Sequence, residues 1–146
     1  MSTLIAIGFK PIKQQPMTLV TKANVTCSHG VEQDFFGRPG KRQVTVMSKE
    51  QWLNVCCELD TMLPWTTRRA NLLVEGLSFT PAHVGKILEI GDLKLEITGE
   101  TDPCKKMEIS HAGLEAALTP DWRGGVTCRV LNDGVIREGD AVLLIS

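Results

Sequence analysis

The groups in this 146-residue chain that could do chemistry are five cysteines, three histidines and the basic pairs Lys41-Arg42, Arg68-Arg69 and Lys105-Lys106. Among the cysteines, Cys104 stands apart. It follows Asp102-Pro103 and precedes Lys105-Lys106, just beyond a strand-like run that ends near Gly99. A cysteine acts as nucleophile or metal ligand through its thiolate, and neighbouring cations favour that form, whereas an apolar core keeps the thiol inert. The bland alternative is a small buried hydrophobe, the ordinary fate of a lone cysteine. Cys27, Cys56, Cys57 and Cys128 form no C-x-x-C pair and the total is odd, so neither a disulfide framework nor a zinc cluster is indicated. His29, His83 and His111 are scattered without H-x-x-x-H spacing and read as surface or loop residues.

Two further places carry polar groups that need an explanation. Arg68, Arg69 and Asn71 lead directly into the apolar run Leu72-Leu73-Val74. Polar groups feeding a buried strand need partners, and the planar fork of arginine suits phosphate or carboxylate. The equal alternative is a pair in which one arginine is solvated and the other salt-bridged to a carboxylate elsewhere. Asp34 lies in the glycine-rich stretch Cys27 to Gly40, which reads as a long loop and so as a functional candidate. Asp34 could orient a ligand there or simply close an Asx-turn. Phe35 and Phe36 are expected to pin this loop to the core, because exposing two adjacent phenylalanines is costly.

The elements that must hold these groups are mostly strands. Leu4 to Ile7 reads as a short strand at the edge, punctuated by Gly8, Pro11 and Pro16, with further extended pieces at Thr18 to Val20 and Ala23 to Val25. Gln43 to Met47 alternates, and Ser48-Lys49-Glu50-Gln51 then fits a capping box. Trp52, Val55, Cys56 and Leu59 fall on one helical face, which makes Cys56 a core residue and Cys57 a flanking one. Ile87 to Ile90 and Leu93 to Thr98 flank Gly91-Asp92 as a hairpin that leads to Cys104. His111 to Leu118 reads as a short helix, Asp121 to Gly125 as a turn, and Val126 to Leu131 as a strand in which Cys128 is packed. Asn132-Asp133-Gly134 is a tight turn, and strands at Val135-Ile136 and Ala141 to Ile145 flank Gly139-Asp140. Seven or eight strands and two helices predict a mostly-β barrel with helical insertions.

The bulk properties exclude several classes of function. With 42% hydrophobic and 23% charged residues and a net charge of −1, the chain is an ordinary globular sequence with no general attraction to nucleic acid or to an anionic membrane. Leu4 to Ile7 is too short an apolar run for a signal peptide or a membrane span, so a cytoplasmic protein is expected. P-loop, dinucleotide-fingerprint, H-E-x-x-H and G-x-S-x-G patterns do not occur.

Taken in order, Gly30-x-Glu32-x-Asp34, Gln43-Val44-Thr45-Val46, Pro64-Trp65-x-x-Arg68-Arg69-Ala70-Asn71-Leu72-Leu73-Val74-Glu75-Gly76, Gly99-x-Thr101-x-Pro103-Cys104 and Arg123-Gly124-Gly125-Val126-Thr127-Cys128-Arg129-Val130-Leu131 resemble the MOSC domain. That family is named for the C-terminal domain of molybdenum cofactor sulfurase. The resemblance runs from about Leu4 to Ile145, and it implies a single MOSC-type β-barrel domain over 1–146. It also implies molybdenum cofactor (molybdopterin) binding or sulfur chemistry, with Cys104 as the key cysteine and metal ligand. Arg69 and Asn71 fall at the family's pterin-contacting step, Arg68 could assist, and Asp34 matches the loop aspartate.

Two departures from the family pattern accompany these expectations. The β-barrel domain that precedes the MOSC domain in larger members is lacking, which would leave a cofactor open or shared with a partner. Lys105-Lys106-Met107 stands where some members place a second cysteine, which argues against a paired-thiol mechanism. The implied functions are a reductase of N-hydroxylated or similar substrates fed by an electron-donor protein, a sulfur carrier whose Cys104 persulfide is supplied by a cysteine desulfurase, or a non-catalytic cofactor-binding module.

Overall fold

A computed structural model describes residues 2–12, 16–35 and 37–145. Along the chain the elements are β1 (Ser2–Phe9), β2 (Thr18–Val20), β3 (Lys22–Thr26), β4 (Gly30–Val31), β5 (Val44–Ser48), α1 (Lys49–Leu59), β6 (Leu72–Glu75), β7 (Ile87–Ile90), β8 (Leu93–Glu100), α2 (Lys105–Ser110), α3 (Leu114–Leu118), β9 (Val126–Val130), β10 (Gly134–Arg137) and β11 (Ala141–Ile145). Short 3₁₀ turns at Trp65–Arg68, Pro81–His83 and Pro120–Trp122 connect some of them.

Seven strands close a barrel in the order β1, β6, β5, β9, β8, β7, β11, with β11 returning to β1 through Ser2–Val142 and Thr3–Ala141. β2 continues the same edge of β1 at its other end, where Phe9 faces Thr18. β10, β3 and β4 form a separate three-stranded sheet. β5 and β6 run parallel while the other described pairs are antiparallel. A parallel pair needs a crossover, and α1 with the Trp65–Arg68 turn supplies it.

This crossover explains the unbroken apolar run at Leu72 to Val74. Leu72 and Val74 join Val44 and Val46 in one core cluster inside the barrel. Leu73 and Met47 belong to a second cluster on the outer face, with Trp52, Val55 and Cys56 of α1 and Leu114 and Leu118 of α3. A strand covered on both faces cannot alternate in polarity. At the start of α1, the Ser48 hydroxyl accepts from Gln51 N at 3.3 Å, as the capping pattern predicts. The Gln51 side chain does not turn back to complete the box. It donates to Phe79 O (3.0 Å) and Asp121 O (2.8 Å) and accepts from Phe79 N (2.9 Å), which ties two loops to the helix.

Three expectations are corrected. The described elements number eleven strands and three helices rather than seven or eight and two: the short extended pieces at 18–20 and 22–26 are strands in their own right, β4 adds a two-residue strand, and α2 precedes the helix expected at 111–118. Gly91-Asp92 does close a hairpin, but Gly139-Asp140 turns a corner between sheets, since β10 pairs with β3 and β11 pairs with β7. Gly139 N donates to Leu4 O there (2.7 Å). Phe35 is 43% exposed rather than buried in the core, its N–H donating to Lys10 O (2.7 Å), and Phe36 lies outside the described residues. Buried Gln43 also holds the loop: its Nε2 donates to Cys27 O (2.7 Å) and Gly37 O (3.3 Å) while its Oε1 accepts from Val130 N (3.1 Å).

Candidate functional site

β8 delivers the chain to the site. Its pairing with β9 shifts between Ile97 and Gly99, and past Glu100 the Thr101 N–H still donates to Gly125 O at 2.9 Å. Asp102 and Pro103 then lead to Cys104, which is extended and exposed and precedes the first turn of α2. Its carbonyl accepts from Met107 N (2.9 Å), and Met107 is buried in the outer core. The backbone is thus anchored on both sides of a thiol that faces outward. The sequence places Cys104 correctly at the end of the strand; what it does not reveal is α2.

Behind the thiol lies Arg68. It is only 7% exposed, and its Nη2 donates to Thr101 O (2.7 Å) and Asp102 O (3.3 Å). Neither arrangement expected for the arginine pair is complete: Arg69 is exposed, but Arg68 meets backbone carbonyls and joins no ion pair among the described residues. Burial pulls the Arg68 pKa down and Arg42 adds to that, while Cys104, Asp102 and Glu100 act in the opposite sense. Cys104 is therefore within electrostatic reach of this guanidinium. Arg68 Nε and the Thr101 hydroxyl are both buried and without a hydrogen-bond partner. An orphaned polar group costs roughly 1–3 kcal/mol, and such groups call for an explanation such as a bound ligand or water.

Gly124 makes this approach possible. A Cβ at position 124 would lie 2.5 Å from Thr101 O and 3.1 Å from Arg68 Nη2. In the Gly124-Gly125 pair, which the sequence marks only as a turn, Gly124 admits Arg68 and Thr101 while Gly125 lies against the backbone of Val46 and Met47.

Glu100 and Asp102 lie beside this arginine. Loss of solvent raises the Glu100 pKa, repulsion from Asp102 and a hydrogen bond with it raise it further, and Arg68 opposes the shift. A carboxyl group with a raised folded-state pKa binds more protons folded than unfolded, so its contribution to stability falls as pH rises through that range. Glu100→Gln is therefore expected to stabilise the protein at neutral pH by about a few tenths of a kcal/mol, given the solvent screening of a partly exposed group. The gain should vanish in acid, where the native carboxyl is already protonated. Denaturant midpoints for the two proteins at neutral and acidic pH test this, and a gain that is equal at both pH values contradicts it.

The remaining candidates fall in different positions. Asn71 is buried and occupied: its Oδ1 accepts from Thr45 N (3.1 Å) and Thr45 Oγ1 (3.2 Å), its N–H donates to Thr45 O (3.0 Å), and its Nδ2 donates to Gly8 O (3.2 Å). These bonds join β1, β5 and the start of β6, so Asn71 positions the Arg68-Arg69 turn from within the fold. Arg69 ends that turn with φ +66. Asp34 Oδ1 accepts from Lys10 N at 2.9 Å, which docks the 27–40 loop onto the end of β1. Lys10 itself is a residue the sequence did not single out, although it is only 3% exposed. Burial lowers its pKa, and the charges of Arg69 and Lys106 lower it further.

The profile of the MOSC domain matches residues 20–143. The chain belongs to the MOSC domain family. The mostly-β barrel expected from the sequence is the architecture observed, and solved structures share it. This MOSC domain is similar to the YuaD protein from Bacillus subtilis, with a TM-score of 0.82 and 19% identity over 100% of this chain and 97% of that one. It is similar to YiiM from Geobacillus stearothermophilus (0.77, 19% identity, 100% and 76%) and to YiiM from Escherichia coli (0.74, 15% identity, 99% and 70%). At these identities the likeness speaks to the fold. No curated protein matches the chain.

In this MOSC domain, the sequence singled out Cys104 and the arginine pair as candidates, and the structure adds Thr101, Lys10 and the close approach of Gly124 around them. The Gly-Gly step was the one available signal, because a close backbone approach needs residues without a Cβ. No helix among the described residues is long and apolar enough to cross a membrane.

Proposed function

We propose that this MOSC domain binds the molybdenum cofactor and acts as a reductase of N-hydroxylated or similar substrates, with Cys104 as the metal ligand. The observation that carries the reading is Arg68: a buried, unpaired guanidinium with a free Nε, beside an orphaned Thr101 hydroxyl, set behind an exposed thiol. Among the described residues no three His, Cys, Asp or Glu side chains gather as an ordinary metal site. A metal held by one thiolate must bring its other ligands with it, and a pterin-bound molybdenum does so.

The residues fit such a group. A soft thiolate suits the metal, and the buried arginine donors suit an anionic or heteroatom-rich partner. When bound, the cofactor would supply oxygen-atom and electron transfer at the metal. Cys104 would hold the metal, Arg68 Nε and Thr101 Oγ1 would gain partners, and Arg69 would face the anionic part. Asn71 acts as a positioning residue, since its polar groups are already spent on the fold. An electron-donor protein is implied, because the chain carries no flavin, haem or iron–sulfur motif.

The exposure of Cys104 serves equally well for sulfur carriage as a persulfide. The test is the molybdenum and pterin content of protein from a cofactor-producing host, run beside Cys104→Ser. The expected result is near-stoichiometric cofactor lost in the variant, with the melting temperature unchanged because the residue is exposed. Protein free of cofactor from a competent host, with a persulfide mass on Cys104, would replace the reductase reading with the carrier.

A further inference from the structure

β11 departs from the rule that an antiparallel sheet with one solvated face alternates apolar and polar residues. Its run Ala141-Val142-Leu143-Leu144-Ile145 is apolar throughout. Val142 belongs to the barrel core and Leu144 packs against that core, which turns Ala141, Leu143 and Ile145 outward. The unbroken run at Leu72 to Val74 has helices over its outer side. On the opposite wall of the barrel, by contrast, Leu143 is 56% and Ile145 39% exposed. Val84, just ahead of β7, adds another exposed apolar side chain. Contiguous apolar surface rimmed by polar groups marks an interaction site.

The register of the strands sets out what lies beside these residues. Leu143 stands opposite Glu89 and Ile145 opposite Ile87, between β11 and β7. Across β7 and β8, Glu89 faces Lys94 and Ile87 faces Glu96, and Arg129 of β9 faces Glu96 in turn. The outer face therefore carries two neighbouring rows: Leu143, Glu89 and Lys94 in one, Ile145, Ile87, Glu96 and Arg129 in the other. Their charges are incompletely used. Glu89 and Lys94 close no ion pair among the described residues, and Arg129 approaches Glu96 only to 3.8 Å.

We infer that this face of β11, β7 and β8 is a homodimer interface, and that what covers it is a second copy of the chain. The two carboxylates and two cations balance, so the face favours neither an acidic nor a basic partner; it is complementary to itself. A two-fold axis lying in the face and crossing the strands between the rows sets each row on the other row of the second copy. Leu143 then meets the partner's Ile145, Lys94 meets the partner's Glu96, and Ile87 falls on the partner's Glu89 between them. Symmetry makes each of these contacts twice. A barrel wall is convex, which confines the contact to these rows and places the dimer among small, weak interfaces. The face includes neither Cys104 nor Arg68, so it stands or falls separately from the cofactor reading.

The test is the mass of the full chain by sedimentation equilibrium over a range of concentrations. The parent is expected to dimerise with a dissociation constant of about 10 μM. Leu143→Glu, at a position already exposed, should weaken the dimer at least about tenfold by placing a charge at an apolar contact. Lys94→Glu, which sets a carboxylate against the partner's Glu96, should do the same through like-charge repulsion. Both variants should keep the parent's melting temperature. Lys94→Glu combined with Glu96→Lys restores the crossed pairs and should recover most of the parent's affinity. A parent that stays monomeric at ~200 μM, well above the expected constant, overturns the inference and leaves the face to a partner of different sequence. A dimer that Leu143→Glu leaves intact overturns it as well, and so does a folded double variant that associates no better than Lys94→Glu alone. Leu143→Glu alters no charge pair, so it decides the matter should the double variant fold poorly.

Discussion

Gly125→Ala is expected to unfold the barrel under conditions in which the parent is stable. Gly125 has φ +91, and a Cβ built there lies 2.3 Å from Val46 O, 3.1 Å from Val46 C and 3.2 Å from the Met47 Cα. The atoms in the way are backbone of β5, which is paired with both β6 and β9 and cannot move without breaking ladder bonds. The left-handed conformation alone costs about 1–2 kcal/mol for a residue with a side chain. With the overlap added, the loss should exceed ~3 kcal/mol, a large share of the ~5–15 kcal/mol that holds a typical domain together. Gly139→Ala is the control, because Gly139 has φ +93 but nothing within 4 Å of its built Cβ. It should lose only the conformational part. Denaturant midpoints of the two variants test the comparison, and equal losses would show that the approach of Gly125 to Val46 carries no weight.

On the cofactor reading proposed above, Arg68→Met is expected to cost both stability and retention of the cofactor. The substitution keeps the side chain's apolar bulk and removes the donors to Thr101 O and Asp102 O. Hydrogen bonds from a charged group are worth roughly 1.5–3 kcal/mol, but removing the orphaned Nε returns part of that. A net loss of about 1–2 kcal/mol follows from the same scale. The stretch from Thr101 to Cys104 would then lose its tie to the Trp65–Arg68 turn, and molybdenum content should fall at least about tenfold, as expected when a charge-assisted anchor is deleted. Arg69→Met, at an exposed position, should lower cofactor content with no thermal penalty. Arg68→Lys separates the roles further. If it restores the melting temperature but not the cofactor, the fork geometry and its Nε are what the ligand uses; if it restores both, charge alone suffices.

The two arginines show where the sequence was readable and where it was not. Their position before a buried strand marked them as needing partners; Arg68 finds two in the carbonyls of Thr101 and Asp102, while Arg69 is exposed. Which of the two is buried depends on the 3₁₀ turn at Trp65–Arg68 and on the left-handed residue that ends it, and adjacent identical residues carry no signal of that choice. Asn71 illustrates a related limit. Its place beside the arginines suggested ligand contact, whereas the observed bonds to Thr45 arise from the parallel β5–β6 pairing across 26 residues of sequence and the bond to Gly8 from the antiparallel β1–β6 pairing across 63.

Strands such as Val44 to Met47 were legible because alternation encodes a face directly. α2 was not, because six residues with one buried side chain, Met107, give no repeating face. Lys10 was invisible for the same kind of reason: only the register between β1 and β6 brings it to Arg69.

The seam between β1 and β11 has a consequence for the order in which this protein can be made. Ser2 and Thr3 pair with Val142 and Ala141, and Leu4 exchanges backbone hydrogen bonds with Gly139 and Asp140. A chain emerging from the ribosome holds its first strand ready long before the strand that must close against it has been translated. Until then β1 and β7 each keep an open edge, the kind of surface that recruits other chains. Pairing across so long a separation is also slow once it becomes possible. Ribosome-bound chains arrested before residue 139 should therefore remain protease-sensitive along β1, and emergence of β11 from the ribosome should be what makes the barrel resistant.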